Sequence, residues 1–194
     1  MAGFAHRAAT YADLAAVPSH LVAEIIFGNL ETHPRPAARH AVASNALGHE
    51  LTGPFQKGRG GPGGWIFMVE PELHLGPHVV VPDLAAWRRE RMSSMPAKAY
   101  IETPPDWVCE VISLSTEAID KGPKRRIYAT YHVPYLWHLN PAAKLLEVFE
   151  LKDEHWVLFE VFQDNEQVAA PPFSAVPFSL ADLWPLDRAP EQAP

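Results

Sequence analysis

Two carboxylates in the 194-residue chain sit where carboxylates are costly. Asp83 lies in the run VVVPDLAAW and Glu110 in the run DWVCEVIS. Both runs read as strands, because β-branched and aromatic residues dominate them. An ionised carboxylate in such a run costs several kcal/mol unless it is paired, hydrogen-bonded or held on a metal. The two acids are 27 positions apart, at the ends of what read as neighbouring strands, so both can reach one point. Strand alternation puts Trp107, Cys109 and Val111 on one face and Val108, Glu110 and Ile112 on the other, so Glu110 shares its face with apolar side chains. Taken singly, each residue has a plainer reading. Asp83 after a proline suits a turn or a cap, Glu110 could pair with an arginine, and Lys124 could be one charge of a solvated Lys-Arg-Arg face.

Other chemistry-bearing features are weaker. GRGGPGG at 58–64 holds five of the eleven glycines, but a phosphate-cradling loop needs a strand before it and a helix after it. Here the preceding flank is polar and a strand, WIFMVEPELHL, follows, so a linker or wide hairpin is expected. His74 and His78 are four apart, a zinc spacing on a helix only, and Gly76-Pro77 between them excludes a helix. The single cysteine, Cys109, has no partner for a disulfide and reads as a core residue. Ser113 and Ser115 lack the Gly-x-Ser-x-Gly turn of a serine nucleophile and read as capping residues. Trp107, Trp137 and Trp156 fall inside strand-like runs and read as core rather than as a base-stacking platform.

A chain that is 47% hydrophobic and 20% charged suits one compact domain with a real core. The expected division is a domain over 1–168 and a partly ordered proline-rich tail over 169–194. No apolar run is long enough to span a bilayer and the first residues lack the pattern of a signal peptide, so no membrane association and a cytoplasmic location are expected. The net charge of −7 runs against the cationic excess usual in nucleic-acid proteins, although residues 85–126 hold a cluster of Arg and Lys. A hairpin turn is expected at Gly28-Asn29 and a helix over 39–51. Strands are expected over 65–75, 79–87 and 107–113, then a helix that is firm from Pro123 to about Tyr131. A strand meander over 135–162 follows. Six or seven strands with two main helices make an α/β or α+β layered protein.

Taken in order, several pieces form one pattern: Pro82-Asp83-Leu84, then Glu110-Val111-Ile112-Ser113 with Ser115-Thr116, then Asp120, Lys124 and Tyr128, and last Val133-Pro134-Tyr135-Leu136-Trp137. This order resembles the PD-(D/E)xK nucleases and, more closely, the Uma2 family of restriction-endonuclease-like proteins, over about Tyr11 to Phe162. The resemblance implies a mixed central sheet flanked by helices, with additional antiparallel strands. It also implies an endonuclease that hydrolyses DNA phosphodiester bonds with Mg²⁺ or Mn²⁺ as cofactor. Asp83 and Glu110 would be the metal ligands, with the Val111 carbonyl as a third, and Lys124 would position water or stabilise charge on the phosphate. The superfamily places a lysine two residues after its Glu, where this chain has Ile112; the amine must then come from the following helix, as Lys124 or as its substitute Lys121. Glu24 and His40 match family positions beside the site and are expected as accessory residues. Two other readings remain open, a catalytically silent binding or scaffold protein of the same fold and a hydrolase of another phosphate ester. Cutting both strands of a duplex would favour a homodimer, with the apolar strands after Tyr135 as its interface.

Overall fold

A computed structural model describes residues 7–92 and 94–185. A short helix, α1 (Tyr11–Ala15), precedes the hairpin β1 (Leu21–Ile26) and β2 (Asn29–Pro34). The central turn residues are Phe27 and Gly28, both at positive φ, one position before the Gly28-Asn29 turn expected from sequence. Two consecutive left-handed residues make the tight turn that matches strand twist, and Gly28 supplies one of them without strain. Helix α2 (Ala38–Leu51) lies within one residue of its expected span and buries Ala43, Leu47 and Leu51.

Each of two apolar runs that read as one strand is two. Residues 65–75 divide into β3 (Trp65–Val69) and β4 (Leu73–Leu75), and residues 79–87 into β5 (His78–Val80) and β6 (Leu84–Arg88). The first break falls at Glu70, at positive φ, followed by Pro71, and the second at Pro82. A proline cannot donate to a sheet ladder, so each interrupts pairing. The chain changes sheets at both breaks. β4 and β5 join a four-stranded sheet of order β2-β1-β5-β4. β3 and β6 join β7 (Trp107–Val111), β8 (Tyr135–Asn140), β9 (Leu145–Lys152) and β10 (His155–Gln163) in a six-stranded sheet of order β10-β9-β8-β7-β6-β3. Only β7 and β8 pair in parallel there, which requires a crossover connection.

That crossover is helical. It runs from α3 (Glu117–Ile119) through a wide π turn (Asp120–Lys124) into α4 (Arg125–Thr130). The helix therefore begins at Glu117 and not near Pro123, which corrects the sequence expectation. Pro123 has no N–H and its ring crowds the carbonyl one turn back; widening the turn to a π bulge lets the helix pass through it.

The faces of β7 separate two cores. Trp107, Cys109 and Val111 pack with α2 and with Phe173, Phe178, Leu180, Leu183 and Trp184. Val108 packs with Leu136, Ile127, Tyr128, Trp87 and Val80 on the other side. Residues 169–185, read as the start of a partly ordered tail, carry core side chains, and they include β12 (Phe178–Ser179), paired to β11 (Gln167–Val168); the last nine positions lie outside the described residues. Among the described residues no helix is long and apolar enough to cross a membrane. The molecule is a mixed α/β structure with a multi-stranded mixed sheet and few helices.

Candidate active site

Asp83 stands at the sheet-switching bend, one residue before β6, whose Leu84 pairs with Cys109 of β7. It therefore sits one step beyond the last β6–β7 pair, level with Glu110. The Val111 N–H donates to Asp83 Oδ2 at 2.7 Å, and His40 Nε2, in the first turn of α2, lies 3.1 Å from Oδ1. Burial works against a charged His40, but Asp83 outweighs it and the imidazole titrates above its ordinary value, with the Val111 carbonyl adding to the effect.

Glu110 is buried on the face expected from strand parity, toward the crossover helix. Two groups from that helix reach it: Tyr128 donates its hydroxyl to Oε1 at 2.5 Å, and Lys124 Nζ lies 2.9 Å from the same oxygen. Lys124 projects from the π turn and is itself 3% exposed. Its ammonium also lies 3.2 Å from Glu24 of β1 and 3.5 Å from Asp120, and donates to the Val81 carbonyl at 3.2 Å. One amine thus ties the four-stranded sheet, the six-stranded sheet and the crossover helix together. Glu24 also accepts from the Val81 N–H at 2.7 Å and faces His33 at 3.5 Å.

The charge balance is uneven. Glu24, Glu110 and Asp120 surround a single lysine and Asp83 lies beside Glu110, while among the described residues His33 faces Glu24 and His40 faces Asp83. Burial, reinforced by Asp120, Asp83 and Glu24, pushes the Glu110 carboxyl well above the ordinary range despite the pull of Lys124. Burial also raises Asp120. Glu24 falls below its usual value because Lys124 and His33 overcome its burial. Burial opposes the charge on Lys124, yet Glu110 and Glu24 hold it protonated far into the alkaline range. A carboxyl raised by burial and by neighbouring acids is what a cation would relieve.

Asp83, Glu110, Asp120, Lys124, His33 and His40 line a cleft of about 200 Å³, whose rim adds Arg35, Ser113, Ser115 and Thr116. The donor set fits a hard divalent cation: two carboxylates, Asp83 and Glu110, and the Val111 carbonyl are all oxygen. Among the described residues no three His, Cys, Asp or Glu side chains gather as a ready metal cage. Water and substrate oxygens would have to complete the shell, the habit of Mg²⁺ rather than Zn²⁺.

Of the two lysines considered, Lys124 reaches the acid cluster. Lys121 pairs instead with Glu117 at 3.0 Å and Glu147 at 3.5 Å. Glu24 and His40 join the cluster, each on a different acid. Sequence reasoning passed over His33 and assigned no site role to Asp120 or Tyr128. A signal existed for the last two: Asp120, Lys124 and Tyr128 recur every four residues, one stripe of a helix.

No curated protein matches the chain. Among solved structures, one titled "a putative nuclease belonging to DUF820 from Anabaena variabilis" superposes with a TM-score of 0.73 at 19% identity, covering 91% of this chain and 98% of that one. At that identity the likeness speaks for the fold. The Uma2 family model, described as "Putative restriction endonuclease", matches residues 8–181, a span that holds every residue of the cluster, and the chain belongs to that family.

Proposed function

We propose that the protein is a Mg²⁺- or Mn²⁺-dependent endonuclease that hydrolyses DNA phosphodiester bonds in the Asp83/Glu110 cleft. One observation carries the reading: a buried ammonium, Lys124, reaches 2.9 Å from Glu110 out of a helical bulge, beside an excess of carboxylates. π bulges recur at functional sites because they displace a side chain from its regular helical position. Asp83, Glu110 and the Val111 carbonyl would hold the cation. When bound it would supply Lewis-acid polarisation of the scissile phosphate and would neutralise charge there. Lys124 orients the attacking water or donates to the phosphate oxygen that gains charge as the phosphorus–oxygen bond breaks. Tyr128, donating to Glu110, fixes the orientation of that carboxylate, and His40 does the same for Asp83.

DNA is the proposed partner and the cytoplasm the proposed location. A homodimer would place two clefts on the two strands. Its interface would be β10, the sheet's edge strand, where Val157, Leu158 and Phe159 are exposed; a single monomer mass in light scattering would remove this element. A second reading, a silent scaffold of the same fold, is favoured by one feature: Lys124 and Tyr128 already occupy Glu110.

The test incubates plasmid and single-stranded DNA with the protein and Mg²⁺ or Mn²⁺, beside Asp83→Ala and Glu110→Ala. Cleavage by the wild type, reduced at least about 100-fold in both variants, is expected. Cleavage that survives both changes overturns the mechanism. Absence of Mn²⁺ binding by paramagnetic resonance, together with absence of cleavage, selects the scaffold.

A further inference from the structure

The turn that carries Ser113, Ser115 and Thr116 along the cleft rim also carries Leu114, a residue that is 101% exposed. The next most exposed large hydrophobic residue described is Val69, at 67%. Leu114 is not loose. Ser113 Oγ lies 2.9 Å from Ser115 Oγ and 3.0 Å from Thr116 Oγ1, and the N–H groups of Thr116 and Glu117 donate to the Ser113 carbonyl at 3.2 and 2.9 Å. Thr116 in turn bonds Asp120, which pairs with Lys124. The turn is therefore fastened to the acid cluster, and the leucine is held away from the apolar surfaces of the described residues.

A fully exposed leucine gains nothing for the isolated protein, because burial of such a side chain is where its favourable free energy comes from. Its position says what could cover it. The cleft volume of about 200 Å³ lies below the ~300–1,000 Å³ that accommodates small organic ligands. It holds a phosphodiester and little more, so the sugars and bases on either side would lie across its rim, part of which Ser113 and Ser115, the two neighbours of Leu114, line.

We propose that Leu114 is a substrate-contacting residue, an apolar prong that packs against the sugar or base next to the scissile phosphate. Leucine is among the side chains that proteins insert against or between DNA bases, and the stacking faces there are apolar whatever the sequence. The contact would therefore add affinity without base preference. The inference rests on the nuclease reading for its choice of ligand, and the experiment separates the two.

Full-length protein is titrated without added metal into a fluorescein-labelled DNA duplex, and anisotropy is read at several salt concentrations. Leu114→Ser is expected to raise the Kd about tenfold, ~1.4 kcal/mol, and Leu114→Met to stay within about twofold of wild type. The slope of log Kd against log salt is expected to be the same for all three, because an apolar contact releases no counterions. Equal Kd for wild type and Leu114→Ser, a changed salt slope, or no duplex binding by the wild type would each overturn the proposal. Hydrolysis of bis(p-nitrophenyl) phosphate and plasmid with Mn²⁺ is measured in parallel. A Leu114-dependent Kd with neither substrate cleaved would leave the contact standing and end the hydrolytic reading. Cleavage with a Leu114-independent Kd would do the reverse.

Discussion

Replacing Lys124 by methionine removes a charge while keeping most of the side-chain volume, which isolates its electrostatic role. The amine lies 2.9, 3.2 and 3.5 Å from Glu110, Glu24 and Asp120, and at 3% exposure it has little solvent to screen it. Removing one partner of a buried ion pair leaves the others uncompensated and costs about 3–5 kcal/mol. A domain of this size loses roughly 2–4 °C of Tm per kcal/mol, so a fall of about 6–20 °C is expected at pH 8. The pH dependence gives a second check. Without the lysine, Glu24, Glu110 and Asp120 titrate above their unfolded values, as Glu110 and Asp120 already do with it. A carboxyl raised on folding stabilises fully below its unfolded pKa, and that stability is lost as pH rises through the folded pKa. The deficit of Lys124→Met should therefore shrink between pH 8 and pH 5, and adding Glu110→Gln should recover part of it at pH 8. Thermal unfolding followed by circular dichroism reads all three. A Tm at pH 8 within about 2 °C of wild type, or a deficit that grows on acidification, would refute the charge-balance account.

His40→Gln should cost about 1–2 kcal/mol at pH 6 and less at pH 8.5, measured by urea unfolding, because a histidine raised by Asp83 stabilises below its unfolded pKa and loses that stability as pH rises through the folded one. His138 is buried with neither ring nitrogen hydrogen-bonded, and burial pushes its pKa down to about 3. The wild type must therefore lose stability as pH falls below the unfolded value, and His138→Phe should flatten that loss by about 2–3 kcal/mol between pH 7 and pH 4; superimposable acid limbs would show that the ring is not held neutral. Phe173→Ala should destabilise by about 3–5 kcal/mol, since the ring packs against Phe55, Trp65, Trp107 and Trp137. A loss under about 1 kcal/mol would mean that residues 169–185 are dispensable to the core.

Local patterns were legible where one force acts at short range. The helix over Ala38–Leu51 follows from apolar spacing, and the side of β7 that Glu110 faces follows from alternation alone. Where two forces compete, local reading misplaced boundaries. Pro123 reads as a helix start because it lacks an N–H, but in the fold the π turn absorbs that lack and the helix begins six residues earlier. Pro71 and Pro82 interrupt runs of β-forming residues, and nothing local says that the strands on either side belong to different sheets. The core role of residues 169–185 was not legible because their prolines suggest loose chain, whereas their aromatic residues fill a space that only the assembled sheet and α2 create.

From its residues alone the chain determined which groups could do chemistry: two acids too costly to leave unpaired in apolar strands, an apolar residue in the slot expected for lysine, and a helix with lysines to replace it. Tertiary structure decided which of them meet. Lys121 and Lys124 are three residues apart and either could be reached for on paper, Lys124 by family order and Lys121 as its substitute, but the widened turn aims Lys124 inward among three carboxylates and Lys121 at Glu117 and Glu147. Glu24 and His33 come from a separate sheet that reaches the cluster only because the chain crosses over at Val81 to Asp83. The physical reason is range: alternation and helical period act over a few residues, while charge compensation in a buried cleft depends on distances that only the packed chain sets.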